Sequence, residues 1–381
     1  MAAQLLTNKT MSQIKTLNLI EPTLYDQTGH SYMYVQCLLQ ANPDFNFKIQ
    51  VWLDQRGRQL LARSACIAHT YFYRPLRQVQ KIFLYYKLLK QPEIILISTA
   101  ELWDLKILAF FARYFKIKSK VFLQFHQFKQ TKNKLASLKK IANLNLDFTI
   151  ITPTEKLEAL YKNHGFKHCV TIACPTYLPA KLLNSEPEKF SKVLYAGAAR
   201  NDKGFAQVID LLQYNRSIGK DTLFEIQTSM PNSQRYDATS AAALLKLKTL
   251  PQHNLILHAT TLDQQQYLNL FKNSICLLLY SQQEYQDKFS AIALDAFYAG
   301  CPIITAKNTW MGDAAQRYNS GIALDDFAPA TVQLAIDEII NNYTVFHVNA
   351  KHAAQQLLSL HDPKHTLEFI KLAANPHQPS L

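Results

Sequence analysis

Three stretches of this chain hold residues whose types and spacing could do chemistry. The first is DKFSAIALDAFYAGCPIITAKNTW (287–310), an almost apolar segment interrupted by two aspartates, Asp287 and Asp295, eight apart. Ser290 is a good N-cap, so the pattern predicts a helix from about Ser290 that stops at Gly300, with Pro302 just beyond. Amides near Phe289, Ser290 and Ala291 would then lie at a helix N-terminus, where phosphate oxygens are readily received. Asp295, one turn further in, is either a solvent-facing helix residue or a ligand for a diol such as that of a ribose. The second stretch is GAARNDKGF (197–205), which follows a β-branched run. Gly197 lets the chain turn tightly, and Arg200 and Lys203 stand three apart before a helix starting near Gly204. A strand, a small-residue loop, two cations and a helix N-terminus make either an anion site or a surface turn with solvated charges. It is neither a G-x-x-x-x-G-K-[ST] loop nor a G-x-G-x-x-G fingerprint. The third is KVFLQFH, where His126 ends an apolar strand as either a core histidine or a reactive one.

The elements that must position these residues alternate. In the first half, strand patterns at 16–22, 47–54, 93–98, 120–126, 147–153 and 169–173 are interleaved with helical patterns at 29–41, 78–90, 101–115, 136–144 and 154–165. Tyr71, Phe72 and Tyr73 read as packing aromatics. A Pro- and Glu-rich stretch, PTYLPAKLLNSEPEKFS (175–191), breaks the pattern as a linker. The alternation restarts with strands at 192–197, 222–229, 254–259, 274–281, 302–306 and 321–326. Helices are expected at 205–215, 239–248, 263–273, from about 290, and in a tail from 329 to about 374. Such alternation means βαβ units and parallel sheets, here as two open α/β domains with ligands at the carboxyl ends of the strands.

The 381 residues are 48% hydrophobic and 18% charged, an ordinary globular composition that excludes general disorder. No run reaches the ~18 to 20 apolar residues of a membrane span, and the first residues lack a signal-peptide pattern. Residues 1–15 are polar and unpatterned, and Met11 offers a second start. The six cysteines include no C-x-x-C and no Cys/His cluster, which argues for reduced thiols in the cytoplasm and against structural zinc. Charge is lopsided. Residues 1–175 hold 24 Lys+Arg against 10 Asp+Glu, a net of +14, and the remainder holds 17 against 18, a net of −1. The first half is therefore expected to face an anionic partner. Its basic stretches at 78–90, 105–120 and 129–140 mix Lys and Arg with aromatic or aliphatic residues, as surfaces that lie on anionic headgroups do. No nucleic-acid-binding motif is present. The expectation is a cytoplasmic protein, peripheral on the inner face of the cytoplasmic membrane, and no nucleic-acid partner.

The order KVLYAGAARNDKGF, SICLLLYS, then D-x7-D leading into LDAFYAGCPIIT resembles the C-terminal domain of glycosyltransferase family 4. Ala296, Gly300 and Pro302 match that family's A-x-x-x-G-x-P, and AKNTWMGD (306–313) resembles one bacterial branch. The resemblance is clear over about 192–345 and weaker over 16–175. It implies a GT-B fold, with two Rossmann-like α/β domains facing each other across a cleft: 1–175 for the acceptor, 176–365 for the nucleotide sugar, and a 366–381 tail packing back on the first. It implies a retaining, metal-independent hexosyltransferase of surface-glycan assembly, without a cofactor, acting on a nucleotide sugar and a glycan or lipid-linked acceptor. Carried over by position, Asp295 binds ribose and Asp287 contacts the donor sugar. The amides of Phe289, Ser290 and Ala291 hold the diphosphate, and Arg200 and Lys203 neutralise the leaving group. Gly29 matches the glycine turn after strand one, and His126 matches a histidine beside the reacting sugar. The chain departs from the pattern in three ways. Both acids are Asp rather than Glu, leaving Glu284 as a rival for the Asp287 role. Ala198 stands where the family's arginine is usual. A Gly29-His30 pair replaces Gly-Gly. Two rivals follow: a UDP-sugar 2-epimerase on the same fold, and a catalytically silent sugar-nucleotide-binding protein. The one acidic pair, Asp325-Asp326, is contiguous and makes no Asp-x-Asp metal motif.

Overall fold

The computed structural model describes residues 15–27, 29–176, 189–229, 236–260 and 262–374. Met11 and most of the expected linker, 177–188, lie outside the described residues. The chain divides into two compact units, one of residues 1–152, 158–175 and 363–381, the other of 153–157 and 176–362.

The first unit holds a seven-stranded parallel sheet: β1 (Thr16–Glu21), β2 (Lys48–Asp54), β3 (Ile67–Phe72), β4 (Ile94–Ile97), β5 (Lys120–Gln124), β6 (Phe148–Thr152) and β7 (Cys169–Thr171). Its order is β3-β2-β1-β4-β5-β6-β7, so the direction of winding reverses between β1 and β4. The helices are α1 (Gly29–Ala41), α2 (Arg77–Leu88), α3 (Leu102–Tyr114), α4 (Lys132–Ala142) and α5 (Glu155–Asn163). Helix α2 packs on α3 and α3 on α4, forming one layer. The central strands are buried on both faces and are accordingly almost continuous runs of Leu, Ile and Val. Strand β3 was not expected. It is an edge strand whose IAHTYF sequence carries polar residues, because only its last residue, Phe72, is fully buried.

The second unit has a six-stranded parallel sheet: β8 (Lys192–Tyr195), β9 (Phe224–Gln227), β10 (Leu255–His258), β11 (Ser274–Leu278), β12 (Ile303–Ala306) and β13 (Gly321–Leu324). The order is β10-β9-β8-β11-β12-β13, with its reversal between β8 and β11. Its helices are α6 (Phe205–Ser217), α7 (Ala238–Thr249), α8 (Gln264–Leu270), α9 (Gln282–Tyr285), α10 (Ala291–Tyr298), α11 (Trp310–Arg317), α12 (Pro329–Asn341) and α13 (Tyr343–Leu360). Helix α11 is absent from the sequence reading because Gly312 weakens its pattern. The Thr309 hydroxyl nevertheless caps it, accepting from the Gly312 amide at 3.0 Å.

A last helix, α14 (Pro363–Ala373), belongs to the first unit, where it packs on α1 and inserts Leu367 and Ile370 into the core beneath β1 and β2. Lys15 donates to the Ala374 carbonyl at 2.8 Å. The expected tail from 329 is therefore three helices, the last on a different unit from the first two. Six asparagines, Asn46, Asn145, Asn254, Asn273, Asn308 and Asn319, adopt left-handed backbone conformations among the described residues. Five of them lie within three residues of the start of the next strand, and Asn46, Asn145, Asn273 and Asn319 stand just past the end of a helix, in the place that glycine usually holds.

Candidate functional site

In the second unit, the loops after β8 and β11 leave the sheet at its switch point, where a parallel α/β sheet opens a crevice. The β8 loop hangs on the neighbouring strand: the Gly197 amide donates to Gln227 Oε1 at 2.6 Å and the Ala199 amide to the Ser229 carbonyl at 3.2 Å. Gly197 has φ +99°, and a Cβ there would stand 2.8 Å from Ile292 Cδ1 and 3.5 Å from Lys203 Nζ. The loop, the lysine and the first turn of α10 thus converge on one place. Gly204, at φ +76°, lets the chain pass so close to β11 that a Cβ would lie 2.1 Å from the Leu279 carbonyl oxygen.

Lys203 Nζ sits 5.5 Å from the Tyr280 ring centroid. Burial of the amine, reinforced by the nearby Arg200 guanidinium, pulls its pKa down to about 8. Arg200 is paired with Asp202, Nε to Oδ1 at 2.8 Å, and the Tyr285 hydroxyl reaches Asp202 Oδ2 at 3.4 Å. Two cations and one carboxylate therefore share the loop, and the cation without that ion pair is the one whose proton is held loosely.

Helix α10 forms as its capping residue dictates: the buried Ser290 hydroxyl accepts from the Ala293 amide at 3.4 Å. Ala293, Leu294, Ala296 and Phe297 are fully buried against the sheet. Ala291 is exposed, and Phe289 is anchored between Trp310 and His361, with centroids at 4.8 and 4.7 Å. Asp295 is not a solvent-facing helix residue. Its carboxyl accepts from the Tyr267 hydroxyl at 3.0 Å, and burial raises its pKa to about 7 against the lowering effect of that bond. Asp287 is 7% exposed, in the loop before α10, and its carbonyl accepts from the Thr154 hydroxyl at 3.0 Å. Glu284 is exposed on α9 and pairs with Lys288 at 3.6 Å.

Arg200, Lys203, Phe289, Ser290, Ala291, Asp295 and Asp287 all lie in this unit. Tyr267, Tyr280 and Gln227 complete their surroundings and were missed in the sequence. Nothing local marks them, since each reaches the place from a different element. Gly29 and His126 belong to the first unit. Gly29 opens α1. His126 Nε2 donates to the Ser98 carbonyl at 2.7 Å, which leaves Nδ1, 3.4 Å from Cys174 Sγ, as the acceptor. With both nitrogens engaged, the orientation of the ring is fixed. Beside it, Glu21 is fully buried at the end of β1. It accepts from Ser98 Oγ at 2.8 Å, Thr99 Oγ1 at 3.0 Å and the Thr23 amide at 3.1 Å. Among the described residues, no group of three or more His, Cys, Asp or Glu is placed to hold a metal ion. Asp325 pairs with Lys307 at 2.6 Å, and Asp326 accepts from the Ala328 amide at 2.8 Å.

No protein-family model and no curated protein matches this chain. Solved structures do. A glycosyltransferase from Rickettsia africae superposes with a TM-score of 0.72 at 10% identity, covering 96% of this chain and 100% of its own. Anabaena HepE in complex with UDP-glucose gives 0.67 at 14% identity, over 93% and 98%. WaaG, a glycosyltransferase involved in lipopolysaccharide biosynthesis, gives 0.62 at 11%, over 93% and 99%. The fold is GT-B. Its two Rossmann-like α/β domains are the seven- and six-stranded units described above, and the loop–helix constellation lies in the second GT-B domain. No helix among the described residues is long and apolar enough to cross a membrane.

Proposed function

We propose that the chain is a retaining, metal-independent glycosyltransferase. It moves a hexose from a nucleotide-diphosphate sugar to an oligosaccharide or lipid-linked acceptor in bacterial surface-glycan assembly (lipopolysaccharide, O-antigen or capsule). The observation that carries this reading is the convergence of Gly197, Lys203 and the start of α10 on one place, with Asp295 a turn inside that helix. Expelling a nucleoside diphosphate builds negative charge on the β-phosphate. Lys203 and Arg200, with the amides at Phe289, Ser290 and Ala291, would be arranged before the reaction to stabilise that charge. A diphosphate would also hold the Lys203 proton that burial otherwise loosens. Asp295, oriented by Tyr267, would accept from the ribose diol, and Asp287 would contact the donor sugar. In the first domain, Gly29 would let the chain approach donor and acceptor, and His126 would stand beside the reacting sugar. The fold and the neighbours of known structure, which include HepE bound to UDP and to UDP-glucose and WaaG of lipopolysaccharide biosynthesis, support the donor class and the pathway class.

The test is turnover of UDP- and GDP-sugars, by hydrolysis and by transfer to a lipid or glycan extract, followed by product stereochemistry. Retained anomeric configuration without added metal is the expected result. Nucleotide binding with no turnover of any donor would favour the silent binding protein, a reading motivated by the shorter aspartates at 287 and 295.

A further inference from the structure

Helices α2 and α3 each bear two apolar faces, and only one is used by the fold. The inner face of α2 buries Leu84, Tyr85 and Leu88, and that of α3 buries Leu105, Leu108 and Phe111. The rotation of the pair is fixed by a buried staple. Lys81 Nζ lies 2.8 Å from Asp104 Oδ1, and the Tyr85 hydroxyl donates to the same carboxylate at 2.6 Å. Buried ion pairs of this kind contribute little net stability, but they set which way a helix faces. Here they turn a second stripe outward. On α2 and the turn before it, Leu76, Val79, Phe83 and Tyr86 follow one another at helical spacing and are 54, 51, 65 and 47% exposed. On α3, Trp103, Phe110 and Tyr114 share a face and are 40, 54 and 71% exposed. Tyr86 of the α2 stripe meets the inner-face Phe111 of α3 at 5.7 Å, and Phe110 and Tyr114 meet within the α3 stripe at 4.7 Å. Apolar surface gathered in this way marks an interaction site, unlike a single exposed leucine.

The surrounding charge says what kind of partner fits. Within α2 and α3 the only acid is Asp104, already neutralised in the staple. Lys106 and Arg113 line the α3 stripe, and Lys90 lies 3.6 Å from the Tyr86 ring centroid. Helix α4, next in the layer, adds exposed Lys132, Lys134 and Lys139. Long cationic side chains among exposed aromatic rings suit the boundary between headgroups and acyl chains. There the rings enter and the cations stay with phosphate.

We infer that the outer face of α2 and α3 is a docking surface for an anionic phospholipid bilayer. The surface is separate from the donor-site residues, so the inference stands or falls independently of glycosyl transfer. The test is co-sedimentation of the full chain with vesicles of phosphatidylcholine alone and of an equal mixture with phosphatidylglycerol. The protein should pellet with the mixed vesicles and not the neutral ones, and added salt should weaken binding. Trp103 emission should shift to the blue, and Trp103→Phe should abolish that shift. Phe83→Ser with Phe110→Ser should reduce binding at least about tenfold, and Lys106→Gln or Arg113→Gln about fivefold each. These residues are exposed, so melting curves and nucleotide affinity in solution should be unchanged. Absent or equal pelleting with both vesicles would overturn the inference, as would variants that bind like the parent. Retention of a single-stranded oligonucleotide without vesicle binding would assign the face to nucleic acid instead.

Discussion

At the carboxyl rim of the first sheet, Glu21 is fully buried yet receives three or more hydrogen bonds, and His126 has both ring nitrogens engaged. At the rim of the second, Lys203 and Asp295 are half-buried, with their pKa values displaced to about 8 and about 7. The first rim is complete in itself, so its polar groups rigidify loops and shape a surface. The second holds groups whose charged forms burial disfavours: an anionic ligand would restore the charge of Lys203, and donated hydroxyls would favour the Asp295 carboxylate. On the proposed function, the first rim would stay as it is and the second would change on binding.

That contrast can be broken by mutation. Removing a group from the second rim should cost binding and spare the fold. Lys203→Ala is expected to weaken UDP-sugar binding by about a hundredfold, measured calorimetrically, while the melting temperature stays or rises. Removing a group from the first should do the reverse. Glu21→Ala leaves the Ser98, Thr99 and Thr23 donors without their acceptor in a buried setting and should cost ~3 kcal/mol of stability in denaturant titrations. Loss of donor affinity in Glu21→Ala at unchanged stability would invert the comparison. The close passage at Gly204 separates strain from packing. Gly204→Ala should cost ~3 kcal/mol, because its Cβ would strike the Leu279 carbonyl. Gly219→Ala, with similar φ (+69°) but nothing within 4 Å, should cost only ~1 kcal/mol.

The pH dependences sharpen the same point with smaller effects. Donor affinity should fall as pH rises through about 8, as the Lys203 ammonium loses its proton. For stability without ligand, the Asp295 pKa is raised from 3.8 in the unfolded chain to about 7 in the folded one. Below pH 3.8 both states hold the proton and there is no penalty. Between 3.8 and about 7 the unfolded state releases it first, so stability is lost, and above 7 the loss is complete. Asp295→Asn should therefore melt like the parent near pH 4 and higher than it near pH 8, by ~1 kcal/mol or more, the part of the full linkage that a half-exposed carboxyl keeps after solvent screening. Identical melting shifts at both pH values would mean that the carboxyl is not the cause.

The alternation of strands and helices was legible because fully buried parallel strands are written as Leu, Ile and Val runs, and amphipathic helices carry their period openly. Strand β3 was not, since an edge strand with one buried residue has no such run to show. Helix starts at Ser290 and near Gly204 could be read from local chemistry. The helix at Thr309 was hidden by Gly312. Several helix ends were obscured because asparagine stands where glycine is the usual signal, in a chain with only nine glycines. Of the candidate site, the residues on contiguous motifs were visible as types and spacing. Tyr267, Tyr280 and Gln227 were not, because their roles exist only once distant segments meet. The exposed stripes of α2 and α3 were visible only as basic, aromatic-rich text, since sequence does not say which of two apolar faces turns inward.

The packing of α14 on α1 has a consequence for the order in which the protein can be made. The first unit contains β1, but Leu367 and Ile370, which fill its core, are made only after the whole of the second unit. The second unit, ending at Asp362, can close its core while those residues are still being added. The first unit is begun before the second and completed after it, and a fragment ending at residue 175 would expose the apolar face that α14 covers.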